Sequence, residues 1–460
     1  MNERLNQFKN YINGKRVALL GMGISNRAAV DFLLSAGAVL SARDQNPNPS
    51  EEITEFLTSR GVKMIYGEKY LSDITEDVVF KSPGIRCDIP ALAEAAAKGT
   101  VITSEMEVFT AICPCKIFAV TGSDGKTTTT TLVSEMLKRA AARTGARVYL
   151  GGNIGTPLLP FVTEMEPSDF AVLELSSFQL HTMKTAPVSA IVTNITPNHL
   201  NWHLSMDEYI ESKKNIYALQ DASCRLTLNA NNAVTLSMAD ESKAPVTFFS
   251  STGEKPAAAH NCTFENGTIL YDGTPVMTRK DIKLVGMHNV ENYMAAISAV
   301  WGFAEVSDML DVARNFGGVA HRIELVCEKG GVKYYNSSID TSPTRTLAAL
   351  ASFDEKLIVI VGGYDKHIPI EPLIAPLAEK AKFVVATGDT GLEVLQKLTA
   401  HGYDAQNTAY IGSFDSAVRF AMQTANDGDT VILSPAAASF DHFVNFEARG
   451  NRFRALVTEK

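Results

Sequence analysis

The stretch AVTGSDGKTT at residues 119–128 has the residue types of a loop that binds phosphate. In such a loop, backbone amides and a helix N-terminus surround the phosphate oxygens, a lysine spans them, and the next hydroxyl holds Mg²⁺. Lys126 and Thr127 fit the two side-chain roles, while Gly122 and Gly125 allow the backbone to approach a ligand closely. The first glycine of the usual G-x-x-x-x-G-K-[ST] pattern is absent. We expect a shortened cradle that retains these parts.

Three more candidate residues lie further along the chain. Glu174 in LELSSFQL and His199 in TNITPNHLNWH each end a predicted strand. A buried carboxylate needs a cation, and Mg²⁺ prefers oxygen ligands, so Glu174 is a candidate ligand and His199 a less usual one. Lys213 belongs to the predicted helix MDEYIESKKNIYALQ, where lysines are usually solvated. Taken alone, an acid or a histidine at a strand end is more often a hydrogen-bonded structural group.

The segment LVGMHNVENYMAAISAVW places Asn289 and Asn292 three residues apart, and therefore on one face of a predicted helix. Their amide groups can be offered to a ligand in parallel. Alternatively, the asparagines mark the start of the helix, since asparagine is a common N-cap.

The elements that position these residues are strands followed by helices. Short, unalternating apolar runs such as KIFAVT, DFAVLEL and VSAIVTN are typical of strands buried on both faces of a parallel sheet. Residues 229–279 are more broken, and ENGTILYDGTPV predicts an antiparallel hairpin. Similar strand–turn–helix starts occur at RVALLGMGISNRAAV and again after His321, in KLIVIVGGYDKH and DTVILSPAAAS. The sequence therefore predicts an α/β fold with several domains.

Composition limits the class of protein. The chain has 460 residues, 45% hydrophobic and 20% charged, which suits a folded multidomain protein. A formal net charge of -9 and the absence of dense Lys/Arg blocks argue against a nucleic-acid partner. The six scattered cysteines do not resemble a disulfide framework. No apolar stretch is long enough to cross a bilayer, so we expect a cytoplasmic location without stable membrane association.

Several motifs, taken in order, indicate a family. They are T-G-x-x-G-K-T-T, E-L-S-S-F-Q-L, N-I-T-x-x-H-L, Y-x-x-x-K-x-x-I-Y, H-N-x-x-N, the His321–Arg322 pair, and S-P-A-x-A-S-x-D-x-F. Together they resemble the Mur ligase family over essentially the whole chain. The GGNIG segment and the ending SPAAASFDHFVNFEARGNRF are most similar to its D-glutamate-adding members.

The resemblance implies three domains and a reaction. Residues 1–102 would form a Rossmann-like UDP-sugar-binding domain, residues 103–318 a P-loop-type ATP-binding domain with a parallel sheet and a small antiparallel portion, and residues 319–460 a Rossmann-like amino-acid-binding domain. The protein would use ATP to join D-glutamate to UDP-N-acetylmuramoyl-L-alanine through an acyl phosphate. It would act as a monomer. A sibling ligase, a folylpolyglutamate-type ligase and a non-catalytic nucleotide-binding regulatory module are the alternatives.

The resemblance also implies roles for individual residues. Lys126, His199 and Lys213 would be catalytic, and two Mg²⁺ ions would be held by Thr127, Glu174, His199 and Lys213, the last carbamylated by CO₂. ATP would contact Gly122, Ser123, Asp124, Gly125, Lys126, Thr127, Thr128, Asn289, Asn292 and Arg322. The UDP-sugar would contact Ile24, Ser25, Asp44, Ser82, Gly84 and, at its muramoyl part, Asn153. D-Glutamate would contact Thr341, Lys366, Ser439, Phe440 and Phe446.

Three positions depart from the family pattern. Asp124 stands where the family usually has asparagine, which adds a negative charge beside phosphates. The stretch SSIDTS at residues 337–342 lacks the family's acid and lysine at their usual places, and Asp340 is a candidate to compensate from a shifted position. Asn26 replaces the third glycine of the N-terminal G-x-G-x-x-G pattern.

Overall fold

The computed structural model describes residues 2–459 and has the predicted α/β architecture. Contacts between residues divide the chain into two units, Met1–Arg279 with Val290–Val312, and Lys280–Asn289 with Ala313–Lys460. The first unit contains two sheets and the second contains another. The three domain boundaries drawn from the sequence stay a prediction. Within residues 2–459, no helix combines the length and apolar character that crossing a membrane requires.

The first sheet is parallel and has the strand order β3-β2-β1-β4-β5. Its strands are β1 (Arg16–Leu20), β2 (Val39–Asp44), β3 (Lys63–Tyr66), β4 (Val78–Lys81) and β5 (Val101–Thr103). The accompanying helices are α1 (Glu3–Ile12), α2 (Ile24–Ser35), α3 (Glu51–Thr58), α4 (Pro90–Ala97) and α5 (Glu105–Ile112). At the starts of α3 and α5, serine side chains accept hydrogen bonds from backbone N–H groups, which stabilises those helix ends.

The second sheet is mixed, with the order β14-β13-β12-β11-β10-β9-β6-β8-β7. Its strands are β6 (Lys116–Thr121), β7 (Val148–Gly152), β8 (Phe170–Glu174), β9 (Ser189–Val192), β10 (Arg225–Asn229), β11 (Val246–Ser250), β12 (His260–Glu265), β13 (Thr268–Tyr271) and β14 (Thr274–Thr278). The pairs β12–β13 and β13–β14 are antiparallel, whereas the others are parallel, as the sequence predicted. The helices are α6 (Lys126–Ala141), α7 (Ser177–Leu180), α8 (Met206–Lys214), α9 (Ala233–Ser237), α10 (Met287–Val300) and α11 (Val306–Asn315).

The third sheet has the order β15-β16-β20-β17-β18-β19 and is parallel except for the β15–β16 pair. Its strands are β15 (Glu324–Lys329), β16 (Val332–Asn336), β17 (Leu357–Val361), β18 (Ala381–Ala386), β19 (Thr408–Tyr410) and β20 (Thr430–Leu433). The helices are α12 (Pro343–Leu350), α13 (Glu371–Lys380), α14 (Gly388–Ala400), α15 (Phe414–Thr424) and α16 (Phe446–Thr458).

The central strands are buried on both faces because helices cover each sheet. All residues of β8, β9, β17 and β20 are buried, as is β6 after its first residue. Each buried Val, Leu or Ile contributes about 1.5–3 kcal/mol relative to an exposed one. This packing fixes the strands firmly, so the polar residues at their carboxyl ends lie on a rigid edge.

Candidate active site

The predicted phosphate loop connects β6 to α6. Gly122 and Gly125 have φ angles of 145° and 76°, a region that favours glycine. A Cβ at Gly122 would collide with the Thr193 hydroxyl, and one at Gly125 would collide with the Asn292 side chain. Both glycines are therefore required by conformation and by space. Lys126 and Thr127 open α6, followed by Thr128, so they lie in the first turn of that helix as predicted.

The end of β9 and helix α8 hold the loop in shape. The amide of Ser123 donates to the Asn194 carbonyl at 2.8 Å, and the amide of Asp124 donates to Asn194 Oδ1 at 2.9 Å. The Ser123 hydroxyl also lies 2.8 Å from the Tyr209 hydroxyl. The Asp124 carboxylate is exposed, 3.5 Å from the Thr196 hydroxyl. Sequence analysis assigned no role to Asn194, although its position two residues after the buried strand β9 was a usable signal.

Two lysine ammonium groups lie against this loop. Lys126 Nζ donates to the Ser123 carbonyl at 2.9 Å, and Lys213 Nζ donates to the Gly122 carbonyl at 2.6 Å. Lys213 is only 1% exposed, whereas the sequence alone favours a solvated lysine in such a helix. Burial, followed by the nearby charge of Lys126, lowers the pKa of Lys213 well below its ordinary value. A lowered pKa favours the neutral amine, which is the form that reacts as a nucleophile.

Glu174 ends β8 beside the loop-bearing strand and is 1% exposed. Its Oε1 accepts a hydrogen bond from Asn153 Nδ2 at 2.7 Å. Its Oε2 is buried and has no hydrogen-bond partner among residues 2–459. A buried carboxylate oxygen left open in this way fits a hard cation such as Mg²⁺. The backbone N–H of Asn153, a residue predicted to contact the muramoyl group, also donates a hydrogen bond to the backbone carbonyl of Glu174 at 2.8 Å.

His199 follows β9 and is exposed, with a φ angle of 56°. Its ring lies 4.8 Å from that of Phe178. Partial burial, then the charges of Lys126 and Lys213, lower the pKa of His199. Lys126 and His199 thus follow the carboxyl ends of the neighbouring strands β6 and β9, and the Lys213 ammonium group reaches the loop after β6 from helix α8. Parallel sheets commonly bind ligands at this edge.

The residues predicted to contact ATP outside the phosphate loop belong to different units. Asn292 belongs to the first unit, where its Oδ1 accepts a hydrogen bond from the Thr129 hydroxyl at 3.1 Å. Asn289 belongs to the second unit, where its side-chain amide donates to the Val285 carbonyl at 2.7 Å. Arg322, also in the second unit, is exposed. Both asparagines lie in α10, as predicted, and their ligand roles stay predictions.

The predicted UDP-sugar residues cluster at the carboxyl ends of β1, β2 and β4. Asp44 Oδ2 accepts the Met22 amide at 2.6 Å, and the Ser82 hydroxyl donates to the Gly21 carbonyl at 2.9 Å. The Gly84 carbonyl accepts a hydrogen bond from Trp202 Nε1 at 2.8 Å. Ile24 and Ser25 begin α2, with Ile24 67% exposed.

Asn26 explains the loosened glycine pattern. Its side chain is 1% exposed, and Nδ2 donates to the carbonyls of Leu20, Gly21 and Phe80 at 3.1, 2.8 and 3.1 Å. The asparagine thus ties the turn after β1 to β4. Where the usual pattern has a glycine for close packing, this chain has a polar link.

The predicted D-glutamate residues all belong to the second unit. Lys366 is exposed after β17, and Phe440 is 60% exposed with its ring 5.9 Å from that of Tyr364. Ser439 is 2% exposed, and Phe446 begins α16. The half-buried Thr341 immediately precedes Ser342, the N-cap of α12.

Arg449 supports this region and was missed by sequence reasoning. It is 2% exposed and donates to the carbonyls of Ala437, Ala438 and Ser338 at 2.8–3.0 Å. Its Nε donates to the Ser338 hydroxyl at 3.0 Å. Burial lowers the pKa of Arg449 to about 10. The guanidinium therefore fixes the backbone that leads to Ser439.

Asp340 lies inside the second unit. It is 5% exposed, and its Oδ2 accepts a hydrogen bond from the Ser434 hydroxyl at 2.8 Å. Burial raises the pKa of Asp340 to about 6. The carboxyl is thus engaged with the end of β20. Its suggested replacement of the family acid stays a prediction.

The fold and site define a multidomain α/β protein with a phosphate-type loop beside a buried lysine and a buried carboxylate. Three family models match the chain: Mur ligase MurD-like, N-terminal domain, at residues 15–104; Mur ligase middle domain at residues 120–300; and Mur ligase, glutamate ligase domain, at residues 321–437. The chain belongs to the Mur ligase family.

Individual relatives agree with this membership. The chain is 46% identical to UDP-N-acetylmuramoylalanine--D-glutamate ligase of Acetivibrio thermocellus and 45% identical to that of Clostridium novyi, each over 99% of both chains. The solved structure of UDP-N-acetylmuramate-alanine ligase from Thermotoga maritima matches with a TM-score of 0.55 and 18% identity, covering 95% of this chain and 98% of its own. That structural likeness supports the fold alone.

Proposed function

We propose that this protein is an ATP-dependent ligase of peptidoglycan precursor synthesis that joins D-glutamate to UDP-N-acetylmuramoyl-L-alanine. Its curated relatives bear the name UDP-N-acetylmuramoylalanine--D-glutamate ligase. The observation that carries the proposal is the buried pair of Glu174 and Lys213 beside the phosphate loop. A protein that only bound nucleotide would not need these two buried ionisable groups next to the phosphates.

Ligation needs activation of the acceptor because a free carboxylate would have to expel oxide. A carboxylate oxygen of the L-alanyl group would attack the γ-phosphorus of ATP, forming an acyl phosphate as ADP leaves. The D-glutamate nitrogen would then attack the acyl carbon to give a tetrahedral intermediate. Collapse of that intermediate expels phosphate, and the nitrogen loses a proton to leave the amide.

The loop residues would stabilise the first displacement. Lys126 would release the Ser123 carbonyl and turn toward the β- and γ-phosphates, where its charge offsets the charge that develops in transfer. Gly122 and Gly125 give the phosphates access to the backbone, together with Ser123, Asp124 and the first turn of α6. His199 would act on charge or proton transfer at the acyl centre.

Glu174, with its open buried oxygen, fits a role as a Mg²⁺ ligand. Thr127, His199 and Lys213 would complete the binding of two ions. Mg²⁺, when bound, supplies charge neutralisation on the transferring phosphoryl group. The chain's own contribution is the rigid strand edge that presents these side chains.

Lys213 presents a difficulty that carbamylation would remove. As an ammonium group it would repel a metal, yet it is buried beside Glu174 and Lys126. The ammonium group would first lose one proton to give the neutral amine. Reaction of that amine with CO₂ would then form a carbamate and release a second proton, so that an anion replaces the original cation. The lowered pKa of Lys213 supports this step because only the neutral amine attacks CO₂.

The other substrates would use the remaining predicted residues. Ile24, Ser25, Asp44, Ser82 and Gly84 would receive the uridine diphosphate. Asn289 and Arg322 would contact the adenine and ribose-phosphate region of ATP, Asn292 would also contact ATP, and Asn153 would contact the muramoyl group. Thr341, Lys366, Ser439, Phe440 and Phe446 would hold D-glutamate, whose two carboxylates suit a cation and hydroxyl donors. A cytoplasmic location and a monomeric state stay predictions.

The test is phosphate release from ATP in the presence of Mg²⁺ and UDP-N-acetylmuramoyl-L-alanine. D-Glutamate is compared with L-glutamate, lysine, D-alanyl-D-alanine and no amine. We expect release that requires both the UDP-sugar and D-glutamate. Release with another amine would move the protein to a sibling specificity, and ATP binding without release under any condition would indicate a regulatory module.

A further inference from the structure

Trp202 joins two loops that carry different predicted sites. Its Nε1 donates to the Gly84 carbonyl at 2.8 Å, in the turn that follows β4. Its own amide donates to the His199 carbonyl at 3.0 Å, as does the amide of His203. The segment from His199 to His203 is thus one compact turn. Trp202 therefore links the Gly84 turn to the backbone of His199 through two hydrogen bonds.

Arg86 reinforces the same connection from the other side. Its Nη1 donates to the Trp202 carbonyl at 3.0 Å, and its two terminal nitrogens contact both oxygens of Glu208 at 3.0 and 2.8 Å. Nε and Nη2 also contact Asp88 at 2.9 and 2.7 Å. The guanidinium lies 4.9 Å from the Trp202 ring centre. A forked, charge-assisted contact of this kind is geometrically specific.

The neighbouring imidazoles raise the alternative of a metal site. Ligand atoms of His181, His203 and Glu208 lie within 4.8 Å of one another, and buried His203 Nδ1 lies 3.5 Å from Glu208 Oε2. However, Glu208 Oε2 already accepts from Arg86 and from the Leu204 amide at 2.7 Å, and its Oε1 accepts from Arg86. Arg86 also lowers the pKa of Glu208 to about 2. Both oxygens of the Glu208 carboxylate therefore already accept hydrogen bonds from Arg86, which argues against a metal ligand role.

The two turns joined by Trp202 lie outside the regular elements, while Arg86 also reaches Glu208 in the first turn of α8. The strand β4 ends at Lys81, and α8 begins at Met206, so the Gly84 turn and the His199 turn are both connecting segments. His199 adopts a φ of 56°, in the left-handed region, and must be held there by its surroundings. Arg86 and Trp202 provide contacts that fix one loop against the other without contributing to either sheet.

We propose that Arg86 and Trp202 are positioning residues that hold the Gly84 turn against the His199 turn, so that UDP-sugar affinity depends on this connection. This inference rests on the proposed function, because it takes the Gly84 turn as part of the UDP-sugar site. Neither residue needs to touch a reacting atom. Their effect passes through the Gly84 carbonyl and the backbone after His199.

The first test measures KM for each substrate in Trp202→Phe and Arg86→Lys. Phenylalanine keeps the ring packing beside Phe178 and His203 but removes the Nε1 donor, and lysine keeps the charge but loses the fork. We expect KM for the UDP-sugar to rise about 5- to 10-fold, with KM for ATP and D-glutamate within 2-fold of wild type. Unchanged KM values with only a lower kcat or melting temperature would overturn the proposal.

Arg143→Lys is the matched control. Arg143 makes a forked contact with Asp308 at 2.6 and 2.7 Å, after the end of α6 that lies opposite the phosphate loop. Loss of that fork should leave all three KM values unchanged. An equal rise in KM for the UDP-sugar would show that any lost fork has this effect, and would overturn the specific role of Arg86.

The second test needs no turnover. The chain has two tryptophans, so Trp301→Phe leaves Trp202 as the only one. We expect UDP-N-acetylmuramoyl-L-alanine to change Trp202 emission saturably, and Arg86→Lys to raise the dissociation constant about 5- to 10-fold. A saturating UDP-sugar that leaves the emission unchanged, in a protein that still turns over, would overturn the proposal. Failure of wild-type phosphate release would instead count against the proposed function.

Discussion

The phosphate loop and the loops of the third sheet use buried charge in opposite ways. Beside the phosphate loop, His199 is exposed, but the two lysines with proposed catalytic roles, Lys213 and Lys126, are buried or bonded to backbone carbonyls. In the second unit, Lys366 and Phe440 are exposed, whereas the buried cation is Arg449, which holds backbone carbonyls. In the first region the buried charged groups are those with proposed roles in the reaction. In the second, the buried charged group holds the backbone beneath exposed residues with proposed binding roles.

A physical reason underlies this difference. Charges that stabilise a transferring phosphoryl group act most strongly where water is excluded. Groups that capture a soluble amino acid must first be reached from solvent, so rigidity has to come from the residues beneath them. The predictions below test this contrast, from the largest expected effect to the smallest.

Lys126→Ala removes the lysine of the loop itself. We expect the rate of phosphate release to fall by about 10³-fold or more, since a charge aimed at the transition state is lost. The melting temperature should change little. Lys138→Ala is the control because Lys138 lies on the same helix and pairs with Glu135 at the surface. Substantial activity in Lys126→Ala would refute the loop assignment.

Lys213→Ala tests the carbamate. We expect a loss of about 10²-fold that formate or acetate partly restores, because a small carboxylate can occupy the space of the missing carbamate. Lys214→Ala is the control, since the adjacent Lys214 pairs with Glu211 and Glu241 on the surface. Absence of rescue at any carboxylate concentration would count against carbamylation.

Asp340→Asn tests how much stability the second unit loses when the buried carboxyl of Asp340 is ionised. The pKa of Asp340 is raised to about 6, so the folded state binds the proton more tightly than the unfolded state. Stability from the protonated form is present below the unfolded pKa of about 4 and is lost as pH rises through 6. We expect the asparagine to raise the free energy of unfolding by on the order of 2 kcal/mol at pH 8.

The gain from Asp340→Asn should shrink as the pH falls toward 4, measured by urea unfolding across that range. Wild-type kinetics should be retained at neutral pH. A loss of ATP affinity without a gain in stability would contradict the structural reading, and would favour the suggested replacement of the missing family acid.

Lys366→Ala should have the smallest effect. We expect KM for D-glutamate to rise about 10-fold, or about 1.4 kcal/mol, with the melting temperature unchanged because Lys366 is exposed. Lys356→Ala is the control, since Lys356 is exposed at the opposite end of β17. An equal change in KM for ATP would remove the contrast between the two regions.

Much of the fold was predictable because its signals are local. The loop at Gly122–Thr127 and the buried strands were read from glycine spacing and short apolar runs, and the antiparallel hairpin after Asn229 was read from its turn residues. The resemblance of ordered motifs predicted the family correctly. The ligand roles of individual side chains stay predictions.

Supporting residues could not be predicted in the same way. Arg449 lies 111 residues from Ser338, and Arg86 lies 122 residues from Glu208. Nothing in the local sequence distinguishes these arginines from surface ones. The local sequence likewise predicts that Lys213 is a solvated helix residue, whereas in the folded chain it is buried.

The sequence by itself determined the α/β class, the phosphate loop and the order of the motifs, because backbone conformation and strand burial follow from nearby residue types. Only the tertiary structure decided which charges are buried and what they contact. It left Glu174 with an open oxygen, bonded Lys213 to the Gly122 carbonyl, and joined Arg86 to Trp202. Such contacts depend on how distant segments pack, and packing is what sets the local dielectric and hydrogen-bond partners of a charge.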